Sequence, residues 1–245
     1  MHSLGLIPYQ EAWDLQVRLA NEIADGLRSP TLLLLEHPHT YTFGRGGDLK
    51  HLLWDETTLE EKGIEVHWVD RGGDVTYHGP GQLVGYPLLP LGTPDTQSAQ
   101  QKGKGHLPQV DYIEYLRKLE TALIVALAKM GVTGQQFPGL TGVWIHLPPP
   151  KSNSQGTLMA SLHPSKIASI GVKVDAHGIS RHGFSLNVNP DMSYWDGIVA
   201  CGLEDYPGIS LANLISPLPS QQTVLESVVA GFGEVFNFSM QEKAI

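Results

Sequence analysis

Arg71-Gly-Gly-Asp-Val-Thr-Tyr-His-Gly-Pro-Gly-Gln82 sets four glycines around an arginine, an aspartate, a tyrosine and a histidine. Gly72, Gly73, Gly79 and Gly81 lack a Cβ, so the main chain there can take positive φ and approach a ligand closely. Between the glycine pairs, Val75-Thr76-Tyr77 has the β-branched and aromatic character of a short strand. Such a strand would hold Arg71, Asp74 and His78 at fixed places. A plainer reading is open too, with two glycine turns flanking an edge strand. Turns need Gly, Pro, Asn or Asp and have no use for interleaved Arg, Tyr and His, so the polar residues favour a site.

Strand patterns continue on both sides of this block. Val66 to Val69 precedes it and Leu83 to Leu89 follows, with Gly85 marking a bulge or a close backbone approach. Thr31 to Glu36, Val143 to His146, Lys166 to Val174 and Phe184 to Val188 read as further strands. Tyr9 to Leu27 carries apolar residues at helical spacing (Ala12, Leu15, Leu19, Ile23, Leu27) and stops at Ser29-Pro30. A second helix starts on a capping-box-like Asp111 and Glu114, runs through Leu116, Leu119, Leu123, Leu127 and Met130, and closes at Gly131. Val224 to Phe236 reads as a closing helix. The expectation is one α+β (mixed α/β) domain over 1–245, with helices on one side of a mostly antiparallel sheet. Two polar insertions, Gly92 to Pro108 and Pro148 to Ser165, interrupt it as loops.

Composition excludes several classes. Of 245 residues, 41% are hydrophobic and 17% charged, which suits a globular core. No apolar run approaches the roughly 20 residues of a membrane-spanning helix, and Met1-His2-Ser3 opens no signal peptide, so a cytoplasmic protein with no membrane partner is expected. The formal charge of −9 disfavours nucleic acid as a partner. A single cysteine rules out an intrachain disulfide framework and a Cys-rich zinc site. His37 and His39 flank Pro38, yet no His-Glu-x-x-His or paired-Cys spacing is present, so neither a metal nor another cofactor is expected. A phosphate loop and a Gly-x-Ser-x-Gly elbow are also absent.

The lone thiol, Cys201 in Val-Ala-Cys-Gly-Leu-Glu-Asp, is the nucleophile to test. By default a free cysteine is a small buried hydrophobe, and the residues alone leave both readings open. As a nucleophile it needs a nearby cation to favour its thiolate. Lys166, Lys173, Arg181, His177 and His182 are the candidates in sequence. Lys166 opens the strand Lys-Ile-Ala-Ser-Ile-Gly-Val-Lys-Val, where a solvated edge charge is the plainer reading. Lys173 lies seven residues on, hence on the opposite strand face unless Gly171 breaks the register.

Four ordered blocks resemble the lipoyl(octanoyl) transferases: Arg71 to Gln82, Lys166-Ile-Ala-Ser-Ile-Gly171, His182-Gly-Phe-Ser-Leu-Asn-Val-Asn189 and Ala200-Cys-Gly202. Leu35-Glu-His-Pro-His-Thr-Tyr-Thr-Phe-Gly-Arg45 and Pro138-Gly-Leu-Thr-Gly-Val-Trp144 are similar as well, so the likeness spans roughly Leu4 to Leu214. It implies the fold of the lipoate and biotin protein ligases, a mixed sheet with helices packed on it. It also implies transfer of an octanoyl group from octanoyl-acyl carrier protein to Cys201 as a thioester, then to a lysine of a lipoyl domain, in 2-oxoacid dehydrogenases or the glycine cleavage H protein. Lys166 matches the family's catalytic lysine, which lowers the thiol pKa and exchanges protons with the thiol and the incoming amine. Arg71, Gly72, Gly73, Asp74, Val75, Thr76, Tyr77 and His78, with Ser169, Ile170, Gly171, Gly183, Phe184 and Ser185, match its substrate-contacting segments. The stretch from Pro148 to Ser165 is longer than the turn the resemblance implies there. Donor docking calls for local positive charge, with Arg45, Lys50, Arg71, Lys166 and Arg181 as candidates. An ATP-dependent lipoate or biotin ligase and a non-catalytic acyl-binding module are the alternatives.

Overall fold

A computed structural model describes residues 1–92, 111–147, 164–202 and 206–243, with Cys201 described through its backbone. Nearly all of both polar insertions lies outside the described residues. Among the described residues, ten strands and four α-helices follow one another: β1 (His2–Leu6), α1 (Tyr9–Ala24), β2 (Thr31–Glu36), β3 (Thr40–Phe43), α2 (Glu56–Glu61), β4 (Glu65–Trp68), β5 (Val75–His78), β6 (Gln82–Leu88), α3 (Tyr112–Lys129), β7 (Gln135–Phe137), β8 (Leu140–Ile145), β9 (Ser165–Val174), β10 (Ser180–Asn187) and α4 (Gln221–Phe236). Seven strands form one sheet in the order β1-β2-β6-β10-β9-β8-β7, and β4-β3-β5 form a second. Among the described strands, only the β1–β2 and β3–β4 pairs are parallel.

The helices cover both faces of the large sheet, not one. Leu32 and Leu34 of β2 join the core under α3 and α4, while Leu33 and Leu35 join the core under α1. Side chains alternate across a strand, so the four-leucine run is buried from both sides. Each fully buried leucine or phenylalanine contributes about 1.5–3 kcal/mol by leaving water. The third core packs Tyr41, Phe43, Val75 and Tyr77 of the small sheet against Leu59 of α2.

Local chemistry sets the element ends. Asp111 Oδ1 accepts the Glu114 N–H at 2.9 Å and starts α3, and Gly131 at φ +79 ends it. α1 stops at Ala24, three residues before the sequence reading, because Gly26 turns left-handed at φ +72 and carries Leu27 out to 80% exposure. Gly85 is a close approach rather than a bulge. The Phe184 ring fills the space its side chain would occupy, and β6 keeps its register with both neighbours.

Lys166 and Lys173 owe their relation to a bulge. Against β8, Val143 pairs with Ala168 and Trp144 with Lys166, which leaves Ile167 as an extra residue. One inserted residue moves everything before it to the other face. Gly171 keeps register with Gly183, so the break lies at Ile167. Both lysines therefore line one cavity, contrary to the opposite-face expectation.

Candidate active site

Two adjoining cavities open between the large sheet and the 70–74 loop, and Gly73, Asp74, Ile170 and Gly171 line both. The narrow one, about 50 Å³, is bounded by Tyr9, Arg71, Thr76, His78, Tyr86, Ser169, His182, Gly183, Phe184 and Ser185. The wide one, about 1020 Å³, is bounded by residues that include Arg45, His51, Asp70, Gly72, Tyr112, Leu140, Lys166, Val172, Lys173 and Gly202. That volume reaches the upper end of small-molecule pockets.

The structure thus gathers most of the sequence-predicted residues: Arg71, Gly72, Gly73, Asp74, Thr76, His78, Ser169, Ile170, Gly171, Gly183, Phe184 and Ser185 all face these cavities, as does Lys166. Val75 and Tyr77 do not. They are the alternate residues of β5 and point into the third core. Residues that the sequence reading did not place in the site are Tyr9, Tyr86, Asp70, His51 and the 139–141 turn.

The glycines divide by use. Gly73 and Gly81 both sit at φ +82, while a Cβ on Gly79 would fall 1.9 Å from the Tyr77 hydroxyl. On Gly171 it would meet Arg71 Cδ at 2.9 Å, and on Gly183 the Gly85 carbonyl at 2.1 Å. These positions let the protein close on itself. At Gly72 a Cβ would have, among the described residues, only Val172 O within van der Waals reach, at 3.6 Å, so this glycine leaves room for a ligand.

Arg71 and Asp70 pin the loop. Arg71 Nη2 donates to Thr42 O at 2.6 Å and to Thr42 Oγ1 at 2.9 Å, and Nη1 donates to Gly72 O at 3.0 Å. Asp70 accepts from Lys173 Nζ at 2.5 Å and Arg181 Nη2 at 2.8 Å, and pairs with His182 Nε2 at 2.7 Å. Burial pushes the Asp70 carboxyl up, but the His182 and Lys173 hydrogen bonds and the Arg181 charge outweigh it and hold the group well below the usual carboxylate range. Arg71, Arg181 and Lys166 are buried, whereas Arg45 and Lys50 are exposed. Of the candidate docking charges, then, only Arg45 and Lys50 are on the surface.

Lys166 stands at the cavity wall with its Nζ 4.6 Å from the centre of the Trp144 ring. Trp144 is fully buried. A cation over a desolvated indole gains about 2 kcal/mol, which orients the ammonium. Cys201 lies in the 3-10 turn Ala200–Gly202. That turn is tied to the 51–53 segment by Leu53 N–H to Gly197 O at 2.8 Å and Val199 N–H to His51 O at 2.9 Å. Gly202 lines the same wide cavity as Lys166. Among the described residues no three His, Cys, Asp or Glu side chains converge to hold a metal ion, and no helix is long and apolar enough to cross a membrane.

A buried polar layer lies beneath the narrow cavity. His37 bonds Tyr86 Oη and Ile7 O, both at 2.7 Å, and His78 bonds Gln82 Oε1 at 2.9 Å. Burial lowers all three of His37, His78 and His182, His37 to about 4. Their native pKa values thus lie below the unfolded value of about 6.5. As pH falls through 6.5 the unfolded chain takes protons that the native one refuses, and stability drops until the native pKa is reached. His37 alone contributes a loss on the order of 3 kcal/mol between pH 6.5 and 4. Urea midpoints at pH 7.5 and pH 5 are expected to fall on acidification, with a shallower fall in His37→Phe; equal midpoints contradict this.

The chain matches the model of the lipoyl protein ligase A/B catalytic domain over residues 8–233. It is 40% identical to an octanoyltransferase of Chloroflexus aurantiacus over 245 residues, covering 100% of this chain and 97% of that one. An octanoyltransferase of Acidobacterium capsulatum is 42% identical over 236 residues, 95% of this chain and 88% of the relative. Among solved structures, a bipartite lipoate protein ligase from Thermoplasma acidophilum superposes with a TM-score of 0.70 at 16% identity, covering 100% of this chain and 86% of that one, so it shares the fold. With a family model spanning nearly its whole length and such relatives, the chain belongs to the lipoyl protein ligase A/B catalytic domain family.

Proposed function

We propose that this protein is an octanoyltransferase, a single catalytic domain over 1–245, which moves an octanoyl group from octanoyl-acyl carrier protein to the lysine of a lipoyl domain. The observation that carries the reading is the wide cavity that Lys166 and Gly202, the neighbour of Cys201, line together. The Cys201 thiolate attacks the donor's thioester carbon, and a tetrahedral oxyanion forms. Its collapse breaks the bond to the donor sulfur, which leaves as a thiol after taking a proton. The acceptor amine then attacks the Cys201 thioester, the C–S bond breaks and an amide remains. Lys166 supports the thiolate electrostatically, gives its proton to the departing donor sulfur and, left neutral, takes one from the acceptor ammonium so that its amine can attack; the second amine proton goes to the Cys201 sulfur and on to solvent as the ion pair re-forms.

Ser169, Ile170, Gly171, Gly183, Phe184 and Ser185 form the wall along the acyl group, with Ile170 and Phe184 as its apolar part. Arg71, whose Cδ packs against Gly171, holds that wall in place, and Thr76 faces the same cavity. Arg45 and Lys50 supply the exposed positive charge that meets an acidic carrier protein. The acceptors are lipoyl domains of 2-oxoacid dehydrogenases and the glycine cleavage H protein, in the cytoplasm.

The shared fold keeps an ATP-dependent ligase as the second reading. Incubation with octanoyl-acyl carrier protein and a lipoyl domain, with and without ATP, separates the two. Octanoyl-lysine is expected by mass spectrometry at equal rates in both. Strict dependence on ATP points to the ligase, and acyl binding without transfer points to a non-catalytic module.

A further inference from the structure

The narrow cavity has one end away from the chemistry. Gly73, Asp74, Ile170 and Gly171 line both cavities and mark where the two meet, whereas Tyr9, His78, Tyr86 and His182 line the narrow one alone. These four side chains are at most 7% exposed. At about 10–15 Å³ for each water-sized group, a cavity of about 50 Å³ holds about four of them. That suits the far part of an acyl chain and not the whole of it.

The polar atoms at this end are turned away from the cavity. A carbonyl only accepts, so His37 donates Nδ1–H to Ile7 O and receives the Tyr86 O–H on Nε2, both at 2.7 Å. His78 Nδ1 lies 2.9 Å from Gln82 Oε1. Neither His37 nor Gln82 lines the cavity, so these hydrogen bonds run behind the wall and ring carbon is left in front. Tyr9 closes the same end, its ring 5.0 Å from that of His37 and stacked on His78 at 5.9 Å. Tyr86 itself stands on β6 in register with Leu33 of β2, so its depth is fixed by the sheet. Rings pinned from behind in a close-packed layer cannot fold aside as a methionine can, which makes this end apolar toward a chain and stiff against it.

We infer that Tyr86, with Tyr9 beside it, is the floor that sets the longest acyl chain the protein accepts. The inference rests on the octanoyl-transfer reading above and adds the residues that select its substrate by length. The thioester and the first methylenes lie in the wide cavity beside Lys166 and the Cys201 turn, and the tail passes Ile170 and Gly171 into the narrow one. Each methylene short of the floor gains by leaving water. The first one beyond it must push apart rings that already fill their space, so acceptance rises with chain length and then drops sharply.

Wild type, Tyr86→Leu and Tyr86→Phe are each mixed with hexanoyl-, octanoyl- and dodecanoyl-acyl carrier protein, and acyl-enzyme formation is timed by intact mass. The wild type is expected to load dodecanoyl at least about 10-fold more slowly than octanoyl, the low end of what a misfitting methylene costs in an enzyme pocket. Tyr86→Leu, which removes the ring, raises the dodecanoyl-to-octanoyl ratio by about 10-fold or more, while Tyr86→Phe, which keeps it, leaves that ratio at the wild-type value. The ratio is decisive because a general loss of packing slows every chain length alike. A wild-type ratio in Tyr86→Leu, or a wild type that loads dodecanoyl as fast as octanoyl, overturns the assignment. A Tyr86→Leu chain that does not fold is replaced by Tyr9→Leu, judged on the same ratio. Failure of the wild type to load any chain length removes the acyl-enzyme reading, and the floor falls with it.

Discussion

Cys201→Ala is expected to abolish octanoyl transfer to a lipoyl domain, with a fall in kcat/KM on the order of 10³-fold or more. Without the thiol there is no covalent intermediate, and the acceptor lysine must attack the carrier-bound thioester directly. Both macromolecules would have to reach one cavity together. A two-step route separates their visits, which is the benefit of nucleophilic catalysis between bulky partners. The variant should keep its fold and its thermal midpoint, because the 3-10 turn is held by backbone bonds of Val199 and Gly202. A Cys201→Ala enzyme that transfers within tenfold of the wild-type rate removes Cys201 from the mechanism.

Gly183→Ala is expected to destabilise the fold by about 3 kcal/mol or more, above the usual cost of overpacking. The added methyl would sit 2.1 Å from the Gly85 carbonyl and 2.6 Å from Pro87 Cδ, and the first of these is backbone that cannot turn aside. β10 and β6 are neighbours in the middle of the large sheet, so the strands must part where Phe184 and Leu186 enter the core. Gly72→Ala is the contrast. Among the described residues its methyl meets nothing closer than Val172 O at 3.6 Å, so the thermal midpoint is expected to hold while occupancy of the wide cavity changes. Similar midpoints for the two variants, measured by calorimetry, contradict the division between packing glycines and ligand-facing ones.

That division was not legible in the sequence. A glycine announces only that a side chain is unwelcome, and whether a ligand or the protein's own backbone fills the space is decided by the fold. What could be read was periodic or capped. α3 has a capping aspartate, a long apolar stripe and a closing glycine, and it begins and ends close to where those signals lie. α2 buries only Leu59 and gives no periodicity to read. β3 is four residues long and buried throughout, so it has no alternation. The run Leu32–Leu35 did carry the signal for a sheet covered on both faces, since a strand with one wet face would alternate.

The site was legible where residues cluster along the chain and illegible where the fold assembles them. The segments around Arg71, Ser169 and Gly183 each carry several glycines or polar residues together, and the structure brings them to one pair of cavities. Lys166 reaches that place through a bulge one residue long, which shifts the face of every residue before it. His51 is a single histidine in a polar turn, and Tyr9 reads as part of a helix face. Their relevance comes from Asp74 and the Cys201 turn in one case, and from His182 and Tyr86 in the other. None of these pairings lies within one helical turn or strand of its partner.

Intact-mass analysis of the enzyme after incubation with octanoyl-acyl carrier protein, followed by peptide mapping, tests the covalent two-step account most directly. The wild type is expected to gain one octanoyl group, located on the peptide bearing Cys201, and to lose it when a lipoyl domain is added. Cys201→Ser is expected to show no thioester adduct. Active wild-type enzyme that never carries the acyl group, or an adduct that persists in Cys201→Ser, contradicts the account.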